Sequence, residues 1–240
     1  MSLPLNASLK GHFIRRYKRF FVDIETEDGE ELTVYCPDPG RMQSTAVAGA
    51  PVRCSTSDNP KRKLRHTLEM IREGDAWVGV NPQLANAFVE QVLQAQAFAP
   101  LSGYAQHKRE VSIAGEKSRL DFLLTEHPED PRPAYVEVKS ATLCEEIDGK
   151  PVARFPDCVT TRGTRHVNTL SRLVRQGKRA VLLFLVQRAD CQTLEPAADL
   201  DPAYAEALRQ AHKKGVEVFA LQARVSETGL ELLGELAVEL

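Results

Sequence analysis

Three charged residues stand where the sequence is otherwise apolar. Asp121 interrupts Arg119-Leu120-Asp121-Phe122-Leu123-Leu124, and Glu137 and Lys139 flank Val138 in Ala134-Tyr135-Val136-Glu137-Val138-Lys139. Both runs read as β-strands. Side chains alternate along a strand, so Glu137 and Lys139 share one face and Val136 and Val138 the other. If the strands pair, two carboxylates and an ammonium converge at the edge of a core. That donor set suits a hard cation such as Mg²⁺, with Mn²⁺ as a substitute. Asp121 and Glu137 would supply anionic oxygens and Val138 its carbonyl. Such a metal polarises a phosphate and acidifies a bound water. Lys139 would hold or deprotonate that water, or neutralise charge developing on the phosphate. Two nearby acids keep an ammonium charged unless burial lowers its pKa, so the base is the weaker of these roles. An Asp and a Glu-x-Lys also arise by chance, and on an exposed strand they make only weak ion pairs. The order of the surrounding elements has to decide.

Residues 9–80 carry short strand-like runs separated by turn signals. Gly11 to Glu25 is a long β-type stretch, Glu27-Asp28-Gly29-Glu30 is a hairpin turn, and Glu31 to Cys36 alternates as a strand. Pro37-Asp38-Pro39-Gly40 is a sharp turn; Pro51 to Ser55, Arg65 to Arg72 and Ala76 to Val80 read as three more strands. Such a density of short strands predicts a small β-barrel over residues 1–80. The pattern changes at Asn81-Pro82, an N-cap followed by proline at the first helical position. Leu84, Phe88, Val92 and Ala95 then give helical spacing, predicting a helix from about 82 to 97. A hairpin of Lys108 to Ile113 and Lys117 to Thr125 carries Asp121, and the Glu137 strand follows a proline-rich loop. Residues 141–159 read as irregular. A helix over about 161–176 ends at Gly177, Ala180 to Val186 reads as a buried strand, and a helix (about 202–214) and two strands (216–224 and 229–239) complete residues 81–240.

The basic residues are clustered. Arg15-Arg16-Tyr17-Lys18-Arg19-Phe20-Phe21 has four cations, aromatic neighbours and no acid before Asp23. On a strand, Arg15, Tyr17 and Arg19 would share one face and Arg16 and Lys18 the other. Cations neutralise phosphates and aromatics stack bases, as in single-strand binders built on OB folds. Lys61-Arg62-Lys63 lies in a loop, and Arg162, Arg165, Arg172 and Arg175 fall on the helix before the buried strand. Each cluster alone reads equally as a solvated face, and His166 as a satisfied or solvated histidine. Two clusters within one small barrel favour nucleic acid, because the 240-residue chain has a formal net charge of only -2.

The five cysteines are scattered with no C-x-x-C, which fits a reducing, cytoplasmic setting. No signal-peptide pattern opens the chain, and its longest apolar run, Ala180 to Val186, is too short to span a bilayer. No P-loop, dinucleotide fingerprint or G-x-S-x-G elbow is present. A carboxylate pair could serve a glycosidase, but Glu-x-Lys has no part in that chemistry.

The element order α-β-β-β-α-β, with acids on the second and third strands, resembles the core of the PD-(D/E)XK nuclease superfamily. Leu120-Asp121 keeps the acidic half of "PD", and Glu137-Val138-Lys139 is the (D/E)XK. Members often add a glutamate from the first helix, which makes Glu90 the candidate; it is the one charged side chain between Asp75 and Lys108. Members also often dimerise, so a homodimer stays open, although no dimer seam is legible. At finer grain the chain resembles the sugar fermentation stimulation protein A (SfsA) family. The match rests on Arg15-Arg-Tyr-Lys-Arg-Phe20, Cys36-Pro-Asp-Pro-Gly-Arg-Met42, Ser57-Asp-Asn-Pro-Lys-Arg-Lys63, Ser118-Arg-Leu-Asp-Phe122, Tyr135-Val-Glu-Val-Lys-Ser140, Phe155-Pro-Asp157 and Thr161-Arg-Gly163. Asp38 departs from the asparagine expected there, and an acid at that turn would weaken anion binding. The resemblance implies an α+β protein, an OB-like barrel followed by a nuclease-like α/β domain. It also implies binding to DNA, single-stranded or duplex, largely through the backbone. Two functions follow: a Mg²⁺-dependent nuclease, or a non-catalytic DNA-binding regulator, for instance of maltose metabolism, that uses the nuclease fold as a scaffold.

Overall fold

The computed structural model describes residues 1–42, 44–115 and 119–240. Lys117 and Ser118, expected to open the Asp121 strand, lie outside the described residues. The first half of the chain forms β1 (Ser2–Pro4), β2 (Leu9–Tyr17), β3 (Phe21–Thr26), β4 (Glu31–Tyr35), β5 (Pro51–Thr56), β6 (His66–Glu73), β7 (Ala76–Gly79) and α1 (Pro82–Gln94). Then come β8 (Gln106–Ser112), β9 (Arg119–Thr125), β10 (Ala134–Ala141), β11 (Leu143–Ile147), β12 (Lys150–Phe155) and α2 (Thr161–Arg175). The chain closes with β13 (Arg179–Val186), β14 (Thr193–Pro196), α3 (Pro202–Lys213), β15 (Glu217–Ser226) and β16 (Gly229–Val238).

Strands β2 to β6 form an OB barrel in the order β4-β3-β2-β5-β6, closed by a parallel contact of Tyr35 on β4 with Thr67 on β6. Asp28-Gly29 makes the β3–β4 hairpin, with Gly29 at φ 80°, a value that costs glycine nothing. Inward positions such as Val22, Ile24, Val34, Val52, Leu68 and Ile71 are fully buried and fill the barrel. Strand β1 does not join this barrel. It pairs with β16 in the second sheet, so the first residues of the chain belong to the other layer.

The second domain is built on a sheet ordered β11-β12-β14-β16-β15-β13-β10-β9-β8. Strands β10, β13 and β15 run parallel, and the α2 crossover joins the first two. Strand β13 is apolar on both faces because both are covered, as parallel strands require. Leu183 and Leu185 pack towards α1, while Leu182, Phe184 and Val186 pack towards α2 and α3. Helix α1 starts where Asn81 Oδ1 accepts from the Gln83 N–H at 3.0 Å, with Pro82 next. The Asn81 amide also donates to Glu69 Oε2 at 2.8 Å, which ties the helix to barrel strand β6. Residues 141–159 are not irregular as expected. They contain the β11–β12 hairpin, whose turn residues Asp148 and Gly149 both take positive φ. Among the described residues no helix is long and apolar enough to cross a membrane.

Candidate active site

Strands β9 and β10 are paired only from Ala134–Leu124 to Val136–Phe122. Beyond that point they part, and the Val138 N–H donates to Asp121 Oδ2 at 2.7 Å. The carboxylate thus takes the place of a missing ladder carbonyl, and its second oxygen accepts from the Asn86 amide of α1 at 2.8 Å. Glu137 is 3% exposed, on the sheet face covered by α2. Its Oε1 is held by both Lys139 Nζ and His166 Nδ1, and Nζ lies 3.4 Å from Nδ1. Arg162 Nε donates to His166 Nε2 at 3.5 Å, so the imidazole links the first turn of α2 to the glutamate. Asp121, Glu137 and Lys139, expected to converge, do so on the wall of one cleft.

The two carboxyls differ electrostatically. Burial, reinforced by the Glu137 charge, pushes Asp121 up to about 6 in spite of the Val138 N–H. Burial alone would also raise Glu137, but the Lys139 ammonium and the His166 contact more than offset it and hold it below its ordinary range. Among the described residues Glu137 Oε2 is buried without a hydrogen-bond partner. A buried anionic oxygen left open beside a second carboxylate and a strand carbonyl is what a hard cation would complete. The donor set therefore fits Mg²⁺, with Asp121, Glu137 and the Val138 carbonyl as the residues that would hold it.

Glu90 is not at this site. It lies one turn beyond Asn86, pairs with Arg109 at 2.9 Å, and stays out of the cleft. Asn86 and His166 are the contacts that sequence reasoning missed. Asn86 is one of several amides in the polar stripe of α1, and His166 reads from sequence as a satisfied histidine.

The cleft has a volume of about 590 Å³ and lies between the two domains. Its barrel side is the 38–40 turn. That turn is pinned by Arg16, which donates to the carbonyls of Asp38 (2.6 Å), Gly40 (2.7 Å) and Arg19 (2.7 Å). Asp157, after β12, accepts from the backbone N–H groups of Arg41 and Met42. A second groove, of about 780 Å³, runs along the end of β2 and shares Arg19, Pro39, Gly40, Cys158 and Val159 with the cleft, so the two are continuous.

The expected strand alternation of the first basic cluster stops early. Lys18 and Arg19 take positive φ and form the β2–β3 turn, which aims both away from the barrel strand. Arg15 donates to Asp23 at 2.8 Å and lies 5.3 Å from the Tyr17 ring centre, while the Tyr17 hydroxyl donates to the same carboxylate. Arg15 is therefore neutralised in place, Arg16 is structural, and Lys18 and Arg19 are exposed with no acidic partner among the described residues. Arg41 and Arg162 are likewise exposed, without an acidic partner among the described residues, on the walls of the two grooves. Lys61, Arg62 and Lys63 sit in a loop outside both grooves, where Arg62 donates to Thr67, and Arg165 is exposed on α2 away from the cleft.

Residues 83–229 match the family described as sugar fermentation stimulation protein RE domain, and residues 14–80 match the SfsA N-terminal OB domain. The chain belongs to the sugar fermentation stimulation protein family. A homologue from Caulobacter vibrioides is 50% identical over 210 residues, covering 88% of this chain and 85% of that one. A homologue from Geotalea uraniireducens is 43% identical over 240 residues and covers both chains completely. The solved structure described as Pyrococcus furiosus SfsA in complex with Ca²⁺ superposes over the full length of both chains, with a TM-score of 0.89 and 27% identity. The chain is thus an OB barrel joined to an α/β domain, in which the β11–β12 hairpin interrupts the expected α-β-β-β-α-β order between the Glu137 strand and α2.

Proposed function

We propose that this chain binds DNA along the paired grooves and hydrolyses its phosphodiester bonds at a Mg²⁺ site formed by Asp121, Glu137 and Val138. The observation that carries this reading is the buried, unpartnered Oε2 of Glu137 beside Asp121 and Lys139. The description of the Pyrococcus furiosus relative as a Ca²⁺ complex supports a hard-cation site. Mg²⁺, when bound, would polarise a phosphate oxygen and acidify a water.

The chain's own residues supply the rest. Asn86 and the Val138 N–H fix the orientation of Asp121, and His166 fixes that of Glu137. Lys139 reaches the cleft with its ammonium on Glu137, a position from which it would neutralise charge developing on a phosphate. Lys18, Arg19, Arg41 and Arg162 would take backbone phosphates along the grooves, with Arg19 at their junction. A cleft of this size suits a nucleotide or two of one strand, since pockets of about 300–1,000 Å³ enclose ligands of small-molecule size.

The test is cleavage of labelled single-stranded and duplex DNA with Mg²⁺, Mn²⁺ or EDTA, beside Glu137→Gln and Asp121→Asn. Metal-dependent products from the wild type alone are expected. DNA bound by all three proteins but cut by none would instead identify a binding protein on a nuclease scaffold.

A further inference from the structure

Cys144 on β11 and Cys191, in the segment between β13 and β14, bring their sulfurs within 4.8 Å of each other and of an Asp190 carboxylate oxygen. This cluster lies apart from the candidate active site. Two thiols and a carboxylate at that spacing suggest either a soft-metal site or a pair that oxidises to a disulfide, and the surroundings decide between them. Both Asp190 oxygens are engaged by Arg188, at 2.8 and 2.7 Å. The Arg188 guanidinium is 2% exposed and also contacts Glu73 and the Thr142 carbonyl. A buried guanidinium beside the sulfurs repels a metal cation, and the carboxylate it grips is not free to ligate. Two sulfurs alone fall short of the four ligands of a structural zinc site. The same guanidinium favours a thiolate.

We propose that Cys144 and Cys191 form a reversible disulfide when the protein meets a hydroperoxide. Cys144 is the attacking sulfur. It is half-buried, whereas Cys191 is 5% exposed. The neighbouring Cys191 thiol and, against the effect of burial, the Arg188 charge draw the Cys144 thiol below its ordinary pKa, while the thiols of Cys36, Cys54, Cys158 and Cys191 are all raised. The Cys144 thiolate attacks one peroxide oxygen and the O–O bond breaks. This gives a sulfenic acid on Cys144, with hydroxide or alkoxide leaving. The Cys191 sulfur then attacks the Cys144 sulfur, the S–O bond breaks, and water leaves with the Cys191 proton. Overall, two thiols and one hydroperoxide give one disulfide, one water and one water or alcohol; a dithiol reductant reverses it. The bond would fasten β11 to the segment carrying Arg188, whose partner Thr142 lines the active-site cleft.

The experiment is titration of the reduced full-length protein with one equivalent of hydrogen peroxide, read by thiol count, intact mass and non-reducing peptide mapping. Expected are the loss of two of the five thiols, a mass lower by two hydrogens, and a linked Cys144–Cys191 peptide. Cys191→Ser should trap sulfenic acid on Cys144, detectable with a dimedone probe, and Cys144→Ser should leave the other thiols unreacted. Oxidation of Cys158 first, or over-oxidation of Cys144 without a link, would overturn the proposal. So would stoichiometric zinc in the purified protein that is lost in Cys144→Ser, which would make the cluster a metal site. None of these readouts depends on DNA cleavage.

Discussion

Asp157 closes the gap between the two domains by accepting backbone hydrogen bonds from Arg41 at 2.6 Å and Met42 at 3.1 Å, across 116 and 115 residues of chain. Gly40 makes this possible, because a Cβ there would collide with the Asp157 carboxylate. The clamp also defines the junction of the two grooves. We expect Asp157→Ala and Gly40→Ala each to lower stability by about 1–3 kcal/mol in urea unfolding, through the loss of charge-assisted hydrogen bonds. Because both changes break the same contact, the double variant should lose clearly less than the sum of the two.

Asp38 gives the fold a pH dependence. It is 8% exposed, and its Oδ1 accepts from the Gly40 N–H. Burial, with the Asp157 charge adding to it, pushes its carboxyl up to about 6 in spite of that hydrogen bond. A raised carboxyl favours the folded state while protonated; that contribution is complete only below the ordinary value of 3.8, is still mostly present at about pH 4, and is lost as the pH rises through about 6. An asparagine side chain at this position would keep the acceptor oxygen and never ionise. Asp38→Asn should therefore match the wild type near pH 4 and exceed its stability at pH 8 by up to about 3 kcal/mol. Urea unfolding at the two pH values measures this, and equal stability of the two proteins at pH 8 would contradict it.

Asn86, and not the expected Glu90, is the side chain that α1 brings to Asp121. Asn86 holds Asp121, whereas Glu90 holds Arg109 on the outer strand β8. Losing a group that orients a metal ligand typically costs 10–100-fold. In the cleavage assay Asn86→Ala should fall by about that factor with DNA affinity unchanged, and Glu90→Ala should stay near wild type.

The strands carrying Asp121 and Glu137 were legible because their apolar residues alternate or run unbroken, and α1 and α2 because their caps and periodicity agree. The β11–β12 hairpin was hidden, although Asp148-Gly149 is a strong hairpin signal. Cys144-Glu145-Glu146 carries too little apolar alternation to mark a strand, and the hairpin is held instead by β14, which is itself only Thr193–Pro196. Lys18 and Arg19 read as strand because non-glycine residues seldom take positive φ, and nothing local announces that these two do. Asn86 could not be chosen from sequence, since an amide on a polar helix stripe gains its meaning only from the carboxylate opposite.

That turn reassigns the basic cluster, and the reassignment can be measured. Arg16 spends its guanidinium on three backbone carbonyls that shape the 38–40 wall of the cleft, so its loss should act on the fold. Hydrogen bonds from a charged donor contribute about 1.5–3 kcal/mol each, and water would replace part of that here, so Arg16→Ala should lose about 2 kcal/mol or more in urea unfolding. Arg19 has no acidic partner among the described residues and stands where the grooves meet. Arg19→Ala should leave stability within about 0.5 kcal/mol of wild type, as an exposed substitution does. It should instead weaken DNA binding and lower the slope of log K against log salt by about one. The slope is what separates the two effects. A wall deformed by loss of Arg16 weakens contact without removing a phosphate partner, whereas loss of Arg19 removes one directly. A salt slope that changed with Arg16 and not with Arg19 would put the DNA path somewhere other than this junction.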